Sequence, residues 1–304
     1  MDYVIGIDGG ASKTVGLIAR PNGTILSRVE VSGSNYHVVG IVRTEQILAE
    51  LVVALLNQAG VASESKIAFC LGMAGLGRRS DQNIINNVCN RIGLDRCRVL
   101  THDAKIALVG GLGKLEGVIL ISGTGAIAYG QTADGRSVRS SGWGHLLGDE
   151  GSGYFIGLQA LQAIVRAEDG RAQPTKIRDF VLIETGLSTP EDLVTWTYES
   201  SKEKISHLSR FVFEAMSLGD EIAKQIIVYS AEELVRSAQV VIDKLNLNSA
   251  PELVLSGGVM LNQPALVKMI QDRLFGIQIR LVENEPAYGA VLLAINTYFR
   301  CLGN

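Results

Sequence analysis

Residues 5–14, IGIDGGASKT, place a glycine turn directly after a short apolar strand, and residues 120–126, LISGTGA, repeat that arrangement farther along the chain. Glycine has no Cβ, so the backbone N–H groups of such a turn can approach an anion closely. The neighbouring hydroxyls of Ser12, Thr14 and Thr124 can add donors. Two such turns predict that the phosphates of one nucleotide are held from two sides.

Neither turn fits the commonest phosphate-binding motifs. A P-loop needs a glycine immediately before its lysine, and here Ser12 precedes Lys13. The G-x-G-x-x-G turn of dinucleotide-binding proteins opens a helix, whereas β-rich sequence follows both turns of this chain. The pattern therefore predicts hairpins that hold phosphate in their bends.

The segments around the first turn predict an α/β domain. Three β-rich segments separated by turn residues indicate an antiparallel meander. Two helical patterns then alternate with two short strands, which is typical of parallel pairing. In chain order these segments are 4–8, 15–20, 25–31, 47–56, 67–71, 84–92 and 98–101.

The second half of the chain repeats this architecture, so we expect an internal duplication. Predicted strands at 118–121, 127–130 and 137–140 form a second meander, and later strands lie among long helical patterns. The glycine cluster at 110–113 suggests the boundary. The expected domains are residues 1–112, with a terminal helix at 290–304 packing back on them, and residues 113–289.

Composition favours a globular protein that binds small molecules. The chain has 304 residues, of which 47% are hydrophobic, and a formal charge of −3 with scattered Lys and Arg. This length predicts two domains, and the charge distribution argues against nucleic acid or anionic membrane as a partner. The sequence begins with a strand pattern and contains no apolar run of bilayer length, so we expect a soluble cytoplasmic protein.

The cysteines indicate neither a metal nor a cluster site. Cys70, Cys89, Cys97 and Cys301 form no C-x-x-C pair and have no histidine nearby at ligand spacing. We expect four reduced, mostly buried thiols.

Five motifs, taken in order, resemble one known group of proteins. The motifs lie at 8–14, 122–125, 142–153 (GWGHLLGDEGSG), 256–258 and 286–290 (PAYGA). Together they resemble the N-acetylglucosamine kinase and BadF/BadG ATPase group of the sugar kinase, heat-shock protein and actin superfamily. The match spans nearly the whole chain, and its third motif is the most specific. The resemblance implies an α/β fold of two ribonuclease-H-like domains that flank a nucleotide and sugar cleft.

The resemblance also implies ATP and Mg²⁺ as cofactors. It assigns the ATP phosphates to the two glycine turns, and it has Asp8 orient Mg²⁺ through water. Lys13 could equally be a solvated side chain, and Gly219 alone is as typical of a helix C-cap as of a nucleotide contact. The implied nucleotide contacts are Asp8, Gly9, Gly10, Ser12, Lys13, Thr14, Gly123, Thr124, Gly125, Gly219, Ser256, Gly257 and Gly258.

Asp103 resembles the catalytic carboxylate of this group and is the candidate catalytic base. Phosphoryl transfer needs a group that accepts or orients the proton of the attacking hydroxyl. From the residues alone, a helix N-cap for residues 104–109 is the stronger interpretation, and one carboxylate could do both. His102 fits a polar residue at a strand end.

The resemblance assigns the sugar to Asn35, Gly142, Trp143, Gly144 and Asp149, together with Asp103. An amide and a carboxylate suit hydroxyl recognition, and an aromatic ring can form an apolar wall. Without the resemblance, a turn residue is the simpler interpretation of Asn35. Core packing and a ligand site explain Trp143 about equally well, and the glycines on both sides of it favour the site.

The implied function is an ATP-dependent kinase acting on the 6-hydroxyl of an N-acetylhexosamine. N-acetylglucosamine is the first candidate, with N-acetylmuramic acid and glucosamine next, and the group implies a homodimer. Two alternatives stay open: a BadF/BadG-type ATPase that energises electron transfer, and a non-catalytic sugar sensor. No cysteine lies in a glycine-rich motif suited to a cluster, and both glycine turns and both aspartates are present, which favours the kinase.

Overall fold

The computed structural model describes residues 2–94, 97–247 and 251–302. The chain forms two compact units: unit 1 comprises Met1–Glu116 and Val282–Asn304, and unit 2 comprises Gly117–Leu281. Each unit contains one five-stranded sheet.

The sheet of unit 1 has the strand order β3-β2-β1-β4-β5. The first three strands form an antiparallel meander, β4 lies parallel to β1, and β5 lies parallel to β4. This confirms the predicted meander and the predicted parallel pairs. The strands are β1 (Tyr3–Gly9), β2 (Lys13–Ala19), β3 (Ile25–Ser32), β4 (Ile67–Met73) and β5 (Arg98–His102).

The sheet of unit 2 repeats this topology, in the order β10-β9-β6-β7-β8. Again three strands form an antiparallel meander and two further strands pair in parallel. The strands are β6 (Gly117–Ser122), β7 (Ala126–Gln131), β8 (Ser137–Ser141), β9 (Glu252–Ser256) and β10 (Gln278–Leu281). The α/β fold class and the duplicated ribonuclease-H-like arrangement are therefore confirmed.

Helices cover both sheets. Those of unit 1 are α1 (Tyr36–Val39), α2 (Ile41–Ala59), α3 (Arg79–Arg91), α4 (Asp103–Leu112) and the terminal α13 (Pro286–Leu302). Those of unit 2 are α5 (Gly153–Glu168), α6 (Ile177–Thr185), a 3-10 turn (Pro190–Asp192), α7 (Leu193–Glu199), α8 (Lys202–His207), α9 (Ser209–Ser217), α10 (Glu221–Leu245), α11 (Gly258–Asn262) and α12 (Pro264–Gln271). Over the described part of the chain, none of these helices combines the length and apolar character needed to cross a bilayer.

Both faces of the unit 1 sheet are buried. On β1, Ile5 packs into one apolar layer with Leu51 of α2, whereas Val4 packs into a second layer with Ile106 of α4 and Val291 of α13. All of these side chains are almost completely excluded from water, which stabilises each by about 1.5–3 kcal/mol. Because both faces are covered, polar residues of this unit collect at the strand ends.

The glycine cluster does not form a linker. Gly110 and Gly111 lie inside α4. A Cβ on Gly110 would lie 3.2 Å from the main-chain oxygen of Glu285 and 3.2 Å from the nitrogen of Gly289. These small residues allow α4 to pack closely against the start of α13. The change of unit comes at 116/117 and 281/282, rather than at 112/113 and 289/290.

The cysteines only partly follow the expectation. Cys70 and Cys89 are free and buried. Cys97 is disulfide-bonded, so the prediction of a reduced thiol is wrong at that position. The side chain of Cys301 lies outside the described residues.

Candidate active site

Three candidate residues of unit 1 lie at one edge of its sheet. Strands β1, β3, β4 and β5 run in the same direction, so their carboxyl ends meet there. Asp8 lies near the end of β1, Asn35 follows β3, and Asp103 follows β5. The register aligns Asp8 with Gly72 and Gly72 with Thr101, so β1, which carries Asp8, and β5, which Asp103 follows, are separated only by β4.

The two aspartates form a region of negative charge. Burial, and to a smaller extent the charge of Asp103, raise the pKa of Asp8 to about 7, against the opposing effect of Lys13. Burial also raises the pKa of Asp103, against the opposing effect of backbone N–H donors. Such a carboxylate pair is stabilised by a proton or by a cation held near it.

Asp103 begins α4, but His102 provides the cap. The Nδ1 atom of His102 accepts a hydrogen bond from the amide of Lys105 at 3.3 Å, whereas Asp103 Oδ1 accepts from the amide of Ala104 at 2.9 Å. The N-cap interpretation of Asp103 is therefore wrong by one residue. The carboxylate of Asp103 lies in the first helical turn, where the helix dipole favours its charge and a backbone N–H fixes its orientation.

The first glycine turn is joined directly to the loop that carries Asn35. The amide of Gly10 donates to Lys13 O at 2.9 Å, which closes the hairpin. The main-chain oxygen of Gly10 accepts from the amides of Ser34 at 3.0 Å and Asn35 at 3.1 Å. Gly33 makes this approach possible, because a Cβ at that position would lie 1.9 Å from the Ala11 oxygen.

The polar side chains of this turn divide into two groups. Thr14 is fully buried, and its hydroxyl donates to Ser34 Oγ at 2.8 Å, so Thr14 supports the turn from beneath. Ser12 and Lys13 are exposed, and Lys13 Nζ lies 3.5 Å from Glu30. Exposed ion pairs contribute little to stability, so this pairing leaves Lys13 able to bind an anion.

Asn35 is partly buried and caps α1. Its Oδ1 atom accepts a hydrogen bond from the amide of His37 at 3.1 Å, which agrees with the expected turn residue. Among the described residues no partner is found for its Nδ2 group. The amide can therefore donate to a ligand oxygen while its own oxygen stays in the cap.

The motifs of unit 2 also meet at one sheet edge, because β6, β8 and β9 run in the same direction. The turn after β6 and the turn after β9 are in contact. Gly257 has a φ of 96°, and a Cβ on it would lie 2.3 Å from the main-chain oxygen of Ser122. Only glycine allows this contact. Thr124 and Gly258 are exposed on these turns, and Ser256 is buried beneath them.

The loop after β8 exposes a tryptophan. The Trp143 side chain is 65% exposed, so the core-packing interpretation is wrong. The guanidinium of Arg139 lies 4.2 Å from the centre of the indole ring and donates to the oxygen of Gly142 at 2.9 Å. Trp143 is thus held at the surface with apolar area available to a ligand.

Asp149 connects this loop to the turn after β6. It is buried, has a φ of 62°, and accepts a hydrogen bond from the amide of Gly144 at 3.3 Å. Its other oxygen lies 3.0 Å from the position of a Cβ on Gly125. Burial raises the pKa of Asp149, the Gly144 amide opposes this effect, and the charge of Glu150 adds to it.

Gly219 lies just beyond the end of α9. It has a φ of 81°, and its amide donates to the oxygen of Met216 at 3.0 Å, which is typical of a glycine that terminates a helix. The next residue, Asp220, caps α10 by accepting from the amide of Ala223 at 2.8 Å.

A cavity of about 440 Å³ lies within unit 2, beside the turn after β6 and the turn after β9. This volume is within the range of small-ligand pockets, about 300–1,000 Å³. Its lining residues are Gly123, Thr124, Ser206, His207, Ser209, Arg210, Gly258, Val259, Asn262 and Gln263.

Six polar residues of this cavity were not predicted from the sequence, among them His207, Arg210 and Asn262. His207 and Arg210 both approach Glu184, at 3.2 and 2.7 Å. Asn262 donates to the oxygen of Gly258 at 2.7 Å. Asn262 lies one helical turn after the Ser256–Gly258 motif, and this spacing could have indicated from the sequence that Asn262 lies near the site. No motif marks His207 or Arg210.

Known proteins resemble this chain over almost its full length. N-acetylmuramic acid/N-acetylglucosamine kinase of Clostridium acetobutylicum is 38% identical, with 97% of this chain and 98% of the relative covered. N-acetyl-D-glucosamine kinase of Dictyostelium discoideum is 35% identical, with the same coverage of 97% and 98%. A crystal structure from Chromobacterium violaceum, named provisionally as an N-acetylglucosamine kinase, has a TM-score of 0.77 at 25% identity and covers 97% of this chain and 99% of its own. A family model matches residues 5–294, and the chain belongs to the BadF/BadG/BcrA/BcrD ATPase family.

Proposed function

We propose that this chain is an ATP-dependent kinase that phosphorylates the 6-hydroxyl of an N-acetylhexosamine. N-acetylglucosamine is the first candidate substrate, followed by N-acetylmuramic acid and glucosamine. The observation that carries the proposal is the placement of Asp8, Asp103 and Asn35 at one sheet edge, in a chain 38% and 35% identical to two named amino-sugar kinases. The edge offers a cation-binding carboxylate, a base and a hydroxyl-binding amide together.

In this proposal Asp103 accepts the proton of the attacking hydroxyl. Burial raises the pKa of its carboxyl, which makes the carboxylate a better proton acceptor than an exposed aspartate. The hydrogen bond from Ala104 holds one carboxylate oxygen in place. The second oxygen is then the one that meets the hydroxyl of the sugar.

Asp8 fits a Mg²⁺ ion. Oxygen donors are the ligands that Mg²⁺ prefers, and a divalent cation near Asp8 would offset the burial and the repulsion from Asp103 that raise its pKa. Asp8 would hold the ion through water. When bound with ATP, Mg²⁺ neutralises charge on the phosphates. Because Asp8 must be charged to act, its contribution to binding increases as pH rises through about 7.

The proposed ATP contacts lie in the glycine turns of both units. In unit 1, Gly9, Gly10, Ser12 and Lys13 would face phosphate, with Thr14 as support. In unit 2, the turn at 122–125 and the turn at 256–258 lie beside the same cavity, which suits a nucleoside. His207, Arg210 and Asn262 would then bind its ribose or base, with Gly219 as a more distant contact.

The sugar contacts combine donors, an acceptor and an apolar wall. Asn35 Nδ2 donates to a sugar oxygen, and Asp149 accepts hydrogen bonds from sugar hydroxyls. Trp143 packs against an apolar face of the sugar. Gly142 and Gly144, on either side of Trp143, allow the backbone to approach the ligand closely.

An ATP-coupled screen tests the proposed function. Purified protein is assayed with Mg·ATP and glucose, glucosamine, N-acetylglucosamine or N-acetylmuramic acid. ADP release that depends on an N-acetylhexosamine supports the kinase. Sugar-independent ATP hydrolysis would favour an ATPase that energises electron transfer, and sugar binding without ADP release would favour a sensor. Light scattering of the same preparation tests the expected homodimer.

A further inference from the structure

A buried ionisable residue lies beside Asn35, and none of the roles above uses it. Asp81 is in the first turn of α3, and only 6% of it is exposed. The hydroxyl of Tyr36 donates a hydrogen bond to Asp81 Oδ1 at 2.5 Å. This short distance is typical of a charge-assisted O–H···O bond, which fixes direction more strongly than a neutral hydrogen bond.

Asp81 also faces the residue after Tyr36. The Nε2 atom of His37 lies 3.8 Å from Asp81 Oδ1, and the His37 ring lies against Tyr36 with 4.0 Å between ring centroids and a tilt of 33° between the rings. One carboxylate of α3 therefore contacts both residues that follow Asn35 in the chain. These side-chain contacts join α1 to α3 at the helical turn that Asn35 caps.

The loop after β4 packs beneath the same group. Gly75 has a φ of 87°, and a Cβ on it would lie 2.9 Å from the His37 ring and 3.5 Å from Asn35 Oδ1. The amide of Ala74 donates to the oxygen of Gly9 at 2.8 Å. Asn35 thus lies between the glycine turn after β1 on one side and the loop leading to Asp81 on the other.

Stability alone is a weak reason for this arrangement. A buried carboxylate costs desolvation energy, and well-packed apolar side chains hold two helices together as well or better. What the charged hydrogen bond adds is a fixed orientation. The residue whose orientation it fixes is the one with a side-chain amide available to a ligand.

We propose that Asp81 and Tyr36 are positioning residues for the acceptor sugar. Their hydrogen bond sets the position of α1, and through it the direction in which Asn35 Nδ2 donates to a sugar oxygen. The inference rests on the proposed function, since it assigns these residues to the sugar rather than to ATP.

Tyr36→Phe tests this role, because it removes one hydroxyl and keeps the ring. We expect the KM for the sugar to rise by about tenfold, because a displaced Asn35 would lose one hydrogen bond to the sugar, while the KM for ATP stays within about twofold. Asp81→Asn keeps the volume of the side chain and should act in the same direction. Arg91→Gln is the matched control: it breaks another α3 contact, the 2.7 Å pair with Glu45, and should change neither constant.

A mutant cycle separates positioning from folding. In an Asn35→Ala background, Tyr36→Phe should raise the KM for the sugar no further, because the group that it positions is gone. Equal increases in both backgrounds, or a lowered melting temperature with unchanged KM values, would overturn the inference and leave the kinase proposal intact. A wild-type protein that phosphorylates no amino sugar would overturn both.

Discussion

The main-chain oxygen of Gly10 accepts a hydrogen bond from the amide of Asn35 at 3.1 Å. Gly10 belongs to the turn that we assign to phosphate, and Asn35 is the residue that we assign to the sugar. One peptide group therefore fixes the distance between the two ligand-binding segments of unit 1. Phosphoryl transfer depends on such fixed positions, because most of its catalysis is positioning and charge stabilisation.

Asp103→Asn should separate catalysis from sugar binding. The amide keeps the shape of the side chain and the hydrogen bond from Ala104, but it cannot accept a proton. We expect turnover to fall by about 10²- to 10⁴-fold, with the dissociation constant for the sugar nearly unchanged. Steady-state kinetics and calorimetric titration with the sugar measure the two quantities. Near-normal turnover in the variant would refute the assignment of the base.

Asp8 should make the free protein less stable as pH rises. Its folded pKa of about 7 is above the usual aspartate value of 3.8, so the folded state binds the proton more tightly than the unfolded state does. The stabilisation is fully present below pH 3.8 and is lost progressively as pH rises towards about 7. Without nucleotide, Asp8→Asn should therefore raise the free energy of unfolding at pH 8, by on the order of 2 kcal/mol.

Denaturant unfolding at pH 5 and pH 8 checks the Asp8 prediction. The stability advantage of Asp8→Asn should be smaller at pH 5 than at pH 8, because at pH 5 the native carboxyl is still protonated and only part of the proton-linked stabilisation has been lost. Glu64→Gln, which changes an exposed carboxyl of the same unit, should shift neither value. A less stable Asp8→Asn protein at pH 8 is the opposite of the expected result.

Gly257 and Gly258 offer a matched pair of substitutions. Gly257→Ala places a Cβ 2.3 Å from the Ser122 oxygen at a φ of 96°, and should destabilise the protein by about 2–4 kcal/mol through strain and displacement of the turn. Gly258→Ala meets no atom within 4 Å and should fold normally. If Gly258 lies against the nucleotide, its variant should still bind ATP more weakly. Equal melting temperatures for the two variants would contradict the described contact.

Trp143→Ala should affect the sugar and spare the fold. Because Trp143 is 65% exposed, its removal should change the free energy of unfolding by only about 0.5 kcal/mol. The KM for the sugar should rise by about tenfold, as expected for loss of an aromatic wall. Phe275→Ala removes another exposed aromatic of unit 2, one that is 86% exposed, and serves as the control. An unchanged KM for the sugar would remove Trp143 from the proposed site.

Much of the fold could be predicted because its signals are local. Apolar runs bounded by glycine turns marked the two meanders, and the pattern around 47–56 marked α2. The boundary between units was harder, because glycines at 110–113 read as a linker while the structure uses Gly110 for helix packing. The disulfide at Cys97 was missed because spacing alone carries no information on which cysteines meet.

In the candidate site, too, some residues have local sequence signals and others are brought together only by packing. The glycine turns are visible as motifs, so the turn at 122–125 could be named from the residues alone, whereas the roles of Asp8 and Asp103 could be proposed only through the family resemblance. The N-cap of α4 was placed one residue late, because aspartate is the commoner capping residue and histidine is not. His207, Arg210 and Asp81 could not be predicted, since their roles come from packing between segments distant in sequence.

The most direct test of the kinase assignment is the identity of the phosphorylated product. Wild-type protein is incubated with Mg·ATP and N-acetylglucosamine, and ADP and sugar phosphate are quantified together by phosphorus and carbon NMR. We predict one N-acetylglucosamine 6-phosphate for each ADP, formed about 10²- to 10⁴-fold more slowly when Asp103→Asn replaces the wild type under the same conditions. ADP formed without any sugar phosphate, or phosphate on a hydroxyl other than the 6-hydroxyl, would contradict the account.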